Sequence, residues 1–73
     1  MTIQALVLIE GNVNKTALNI SLSNALQIVI GKAPGFGIIL HIAANSPNDL
    51  GKALLKFAQV PNVTGVTTLG LRN

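Results

Sequence analysis

The sequence predicts an α+β fold in which two helices cover one face of a four-stranded antiparallel sheet, in the order β–α–β–β–α–β. Three observations carry that prediction. Ile3–Glu10, Phe36–Ala44 and Val63–Leu71 each alternate at the two-residue period of a strand. Leu50–Val60 repeats apolar residues at the period of a helix, between a start signal and a stop signal. Gly11, Pro34-Gly35 and Pro61 fall between these runs, where the chain must turn. With 73 residues the chain makes one domain, residues 1–73.

Taken in order, Ile3–Glu10 places Ile3, Ala5, Val7 and Ile9 on one face and Gln4, Leu6, Leu8 and Glu10 on the other. Both faces are largely apolar, which suits a central strand covered on both sides. Gly11-Asn12-Val13-Asn14 ends it. Lys15–Lys32 supports more than one reading. Leu18, Ile20 and Leu22 alternate with Asn19, Ser21 and Ser23, as in a strand. Ala17, Leu18, Ser21, Leu22, Ala25 and Leu26 also fall on one helical stripe, and a helix from Ser23 or Asn24 to Lys32 is a third option. The preferred reading is a helix over 15–26 followed by a strand near Gln27–Gly31, where the β-branched Ile28, Val29 and Ile30 favour extended backbone.

Lys32-Ala33-Pro34-Gly35 is read as a turn, with proline fixing φ and glycine free to take φ > 0. The next strand, Phe36–Ala44, puts Phe36, Ile38, Leu40 and Ile42 on one face and Gly37, Ile39, His41 and Ala43 on the other. Ser46 is the expected N-cap, Pro47 the first helical residue, and Asp49 the acidic residue of a capping-box-like start. Leu50, Ala53, Leu54, Phe57 and Ala58 form the apolar stripe, while Lys52, Lys56 and Gln59 face solvent. Pro61 stops the helix. In the last strand Val63, Gly65, Thr67, Leu69 and Leu71 share one side, and Thr64, Val66, Thr68, Gly70 and Arg72 the other. This element order is the ferredoxin-like arrangement.

Composition then bears on partners. Charged residues are 10% of the chain, against about 25% in a typical globular protein, and hydrophobic residues are 49%. Two helices cover only one sheet face, so Leu6, Leu8 and Ile39 stay bare on the other. A second copy's sheet is the simplest cover, which predicts a homo-oligomer, a dimer or a larger ring. The isoelectric point near 10.0 reflects scarce acids. The net charge is only +3, the cations are scattered, and no Tyr or Trp is present to stack on bases, so direct nucleic-acid binding is not expected. The absence of cysteine excludes disulfides and thiolate metal sites, and one histidine cannot hold zinc, so no metal or cofactor is expected. Met1–Ile9 lacks the basic region and cleavage pattern of a signal peptide, and no apolar run is long enough to span a bilayer. The expected location is the cytoplasm, away from membranes.

Catalytic groups are nearly absent. Asp49 is accounted for by the helix start and Glu10 by a strand end, and no nucleophile–base set is present, so the chain is not read as an enzyme. Ligand contacts are expected instead from the glycine-rich stretch 31–37, chiefly Gly35, Phe36 and Gly37. That stretch is not a phosphate loop, because it has no Gly-Lys-Ser/Thr ending and opens no helix. His41 is expected at a pocket or interface. Asn62, Thr64, Thr67 and Thr68 offer hydrogen bonds to a small polar ligand.

The runs Asn48–Phe57 and Val60–Leu69, with Val60-Pro61-Asn62-Val63-Thr64 between helix and strand, resemble the end of the effector-binding, RAM-type domain of Lrp/AsnC regulators. The strand Ala5–Ile9 and the glycine turn before Phe36–Ile42 fit the same pattern. The chain carries no helix-turn-helix segment, so it resembles that module standing alone. It also lacks the aspartate that follows the family's turn glycine, and Asn62 stands where glycine is common. The resemblance implies a dimeric α/β-barrel built sheet to sheet, further assembly into rings, and a small-molecule effector, such as an amino acid, between subunits. It also implies transcription regulation in partnership with a full-length regulator. The alternatives are an assembly protein of the same fold without ligand, and a small dimeric α/β-barrel enzyme using His41 and Glu10.

Overall fold

The computed structural model describes residues 2–72. Its order is β1 (Ile3–Gly11), β2 (Ala25–Ala33), β3 (Gly37–Ala44), α1 (Pro47–Ala58) and β4 (Val63–Arg72), with one 3-10 turn at Thr16–Leu18. The strands form a four-stranded antiparallel sheet in the spatial order β2-β3-β1-β4. The fold is therefore α+β, with one helix on one sheet face.

Alternation decides the core. Ile3, Ala5, Val7 and Ile9 of β1 and Ile38, Leu40, Ile42 and Ala44 of β3 all point to the helix side and are buried. Leu50, Ala53 and Phe57 of α1 close over them. The helix starts as its sequence requires: Asp49 N–H donates to Ser46 Oγ at 3.1 Å, and the Ser46 hydroxyl donates to Asp49 Oδ2 at 2.9 Å. Ser46→Ala removes this cap, and stability is expected to fall by about 1 kcal/mol. The check is a lower urea midpoint with unchanged slope.

The expected helix over 15–26 does not form. A helix there would bury Asn19, Ser21, Ser23 and Asn24 in its interior, four residues whose side chains compete for backbone hydrogen bonds. What forms is a single turn, started by Asn14 Oδ1 accepting from Ala17 N–H at 2.9 Å. Beyond it the chain runs irregularly, and the alternating reading of Leu18, Ile20 and Leu22 describes its packing: Leu18 is buried and the other two rest on the core. Carbonyls freed by the missing helix find side-chain donors. Gln27 Nε2 donates to the Leu18 and Ile20 carbonyls at 2.8 and 3.1 Å. Lys56 Nζ donates to the Ser21 carbonyl at 2.9 Å, so Lys56 is a strut between α1 and this segment as well as a surface charge.

Two further expectations change. Phe36 is not a core strand residue. It closes the turn Ala33–Phe36, with its N–H donating to the Ala33 carbonyl at 2.9 Å, and its ring is 68% exposed. Pro34 and Gly35 (φ 81°) occupy the central positions, as a type II turn demands. In β4 the strict alternation fails. Register shifts pair Val7 with Thr68 but Leu6 with Gly70, so Leu69 is an extra residue on β4. Val66, Thr68 and Leu71 thus lie on the helix side, opposite Ile9, Val7 and Ala5. Gly65, Thr67, Gly70 and Arg72 lie on the other, opposite Glu10, Leu8, Leu6 and Gln4.

Candidate functional site

Two surfaces have the shape or composition of a site. The first is a groove of about 660 Å³ at one end of the sheet, where β1 ends, β2 turns into β3 and β4 begins. Backbone crowding builds it. A side chain on Gly37 would collide with the Ile9 carbonyl, and one on Gly11 with the Asn62 carbonyl, so both positions need glycine for the strands to meet this closely. Gly11 N–H reaches the Phe36 carbonyl at 3.4 Å. The wall includes Glu10, Asn12, Lys32, Phe36 and Thr64. Glu10 is held over β4, where a Cβ on Gly65 would lie 2.5 Å from its Oε2. The groove therefore offers an anion, a cation, a hydroxyl, an aromatic edge and turn backbone. That set matches a small ligand with several polar groups.

The second surface is the outer sheet face, away from α1. Leu26 and Ile28 of β2 pair with Ala43 and His41 of β3, and Leu8 and Leu6 of β1 pair with Ile39 and His41 on their other side. The result is a contiguous apolar face. Leu26, Ile28 and Ile30 are 75%, 63% and 59% exposed. Its polar centre is one hydrogen bond, His41 Nε2 to Gln4 Oε1 at 3.2 Å. A smaller hollow of about 380 Å³ lies there, bordered by Gln4, Leu6, His41, Gly70 and Arg72.

Of the residues expected to bind ligand, Gly35, Phe36, Gly37 and Thr64 do line the groove together. His41 does not; it sits mid-strand on the outer face and borders the second hollow there. Thr67 faces the same side, opposite Leu8, and lines neither hollow. Asn62 lies outside the groove lining, in the Val60–Val63 turn, where Val63 N–H donates to the Val60 carbonyl at 3.2 Å. Its φ of 72° is the reason for Asn there: with Pro61 before it, it repeats the Pro34-Gly35 turn chemistry. Glu10, expected only as a strand end, and Lys32, expected as part of the 32–35 turn, also line the groove. Strand register was the missing signal, because Glu10 pairs with both Gly37 and Gly65.

Among the described residues no three or more His, Cys, Asp or Glu cluster as metal ligands, and no helix is long and apolar enough to cross a membrane. No protein-family model, curated protein or solved structure matches the chain. The class that fold and site define is a small α+β sheet protein with one bare apolar face and a polar groove at its rim.

Proposed function

We propose that the chain is a small self-associating regulatory module. Two copies pack outer face to outer face, and the groove at the rim takes a small polar ligand, an amino acid being the one that the resemblance to Lrp/AsnC effector domains implies. The strand order β2-β3-β1-β4 is the order of a ferredoxin-like sheet, and residues 12–24 occupy the place of that arrangement's first helix. The resemblance to Lrp/AsnC effector domains favours a dimeric α/β-barrel, rings of dimers, and pairing with a full-length regulator. The observation that carries the reading is the outer face. Four strands about 4.8 Å apart and about eight residues long present roughly 500 Å² in projection. The corrugated surface exceeds that figure and approaches the ~800 Å² per partner of a standard interface.

The test is native mass spectrometry of the purified protein, alone and with a mixture of amino acids. A dimer or ring that gains the mass of one amino acid is the expected result. An oligomer indifferent to the mixture removes the ligand half of the reading and leaves an assembly protein. A monomer at tens of micromolar overturns the self-association on which the rest depends.

A further inference from the structure

We propose that the second copy docks with its strands antiparallel to those of the first, about a two-fold axis lying between the sheets and perpendicular to the strands, so that Glu10 of each copy meets Arg72 of the other. This rests on the self-association proposed above and fixes its geometry. Register places the charges. Glu10 stands opposite Gly65 and Gly37, and Arg72 opposite Gln4, so both project to the outer face. They mark opposite ends of it, because Gln4 and Glu10 lie six residues apart on β1, or roughly 20 Å at ~3.3 Å per residue.

Among the described residues no other charged side chain shares this face. Lys32 pairs with Ile38, whose side chain is buried on the helix side, so it leaves from the opposite surface. Lys15, Asp49, Lys52 and Lys56 belong to the layer that covers the core. The face is thus an apolar field with an anion at one end and a cation at the other, which makes it self-complementary in one orientation.

Two isologous face-to-face arrangements keep the strands of the two sheets roughly aligned. An axis parallel to the strands lays the anionic ends together and sets Glu10 near Glu10. An axis perpendicular to the strands lays β1 over β1 in opposite directions. Glu10 then lies above the neighbouring strand's Arg72, about 5 Å to the side, across a gap of about 10 Å that the two long side chains span. The second arrangement forms two opposite-charge pairs at the rim, where they select orientation while the apolar centre supplies affinity. The rows of Leu6, Ile28 and His41 fall near the axis and meet their own copies.

A charge-exchange cycle tests this. The dimer dissociation constants of the wild type, Glu10→Arg, Arg72→Glu and the double exchange are measured by sedimentation equilibrium at low salt. Each single variant sets like charges together twice, and its dissociation constant is expected to rise tenfold or more. The double variant restores opposite pairs and is expected within about threefold of the wild type. The single-variant losses shrink at 0.5 M salt, where screening is short-ranged. Strictly additive effects in a protein that does dimerise overturn the orientation and leave the self-association standing. A wild type that stays monomeric overturns both.

A second measurement does not depend on the charges. The chain has no cysteine, so single Glu10→Cys and Arg72→Cys variants each carry one thiol. A short bismaleimide is expected to cross-link their mixture and neither variant alone. Cross-linking of Glu10→Cys with itself overturns the orientation.

Discussion

Phe57→Ala is expected to leave most of the chain unfolded at room temperature. Phe57 is fully buried, in one cluster with Val7, Ile9, Leu18, Leu40 and Ile42. It is the largest side chain of the core, contributed by the only helix among the described residues. Truncating a buried phenylalanine costs about 3–5 kcal/mol, transfer and cavity combined. A single core of this size supplies about 3–5 kcal/mol in total, so the loss matches the whole margin. The expected observation is a far-UV spectrum without native signal and no cooperative urea transition. Leu55→Ala is the control: Leu55 is 64% exposed on the same helix, and its loss is expected to move stability by about 0.5 kcal/mol or less. A Phe57→Ala protein that unfolds at the wild-type midpoint contradicts the placement of the core.

Those two outcomes differ because periodicity on α1 sorts its residues cleanly, and the same clarity extends to β1 and β3. In each, alternation alone separates the buried set from the outward set: Val7 from Leu8, Leu40 from His41. Where the sequence carried two periods at once, as in residues 15–26, the helical stripe lost. A stripe is only a list of faces, whereas a helix also needs interior residues that leave the backbone its own hydrogen bonds. Asn19, Ser21, Ser23 and Asn24 do not, and the amide of Gln27 is spent on the carbonyls left over. The bulge at Leu69 was invisible for another reason. It belongs to the pairing of β4 with β1 and has no mark in β4 alone.

The groove illustrates the same division. Pro34-Gly35 and Pro61-Asn62 announce their turns locally, so the bend before β3 is legible, although Phe36 belongs to it and not to the strand. That Glu10 and Thr64 join that bend follows from long-range register, which brings Gly11 beside Val63 and Glu10 beside Gly37. His41 was conspicuous as the one histidine of the chain, yet its place is set by strand alternation, which puts it on the outer face beside Gln4.

Ile28→Glu is expected to abolish dimerisation while sparing the fold. Ile28 is 63% exposed within one chain, so a polar replacement removes little intramolecular packing. Its cost to the fold is the strand preference of isoleucine over glutamate, under about 1 kcal/mol. In the face-to-face dimer its row meets the same row of the second copy near the axis. The substitution then buries two carboxylates with no cation beside them, and the effective penalty is several kcal/mol for each. Even 4 kcal/mol weakens association about a thousandfold, enough to convert a micromolar dimer into a monomer at any practical concentration. Light scattering on the eluting peak checks the mass, and a urea midpoint close to the wild type checks the fold. Lys52→Glu, on the exposed side of α1, makes the same single replacement by glutamate where no second copy is placed, and is expected to leave the mass unchanged. If Ile28→Glu retains the wild-type mass, the copies meet elsewhere, for instance along an open sheet edge, and the apolar outer face must have a different occupant.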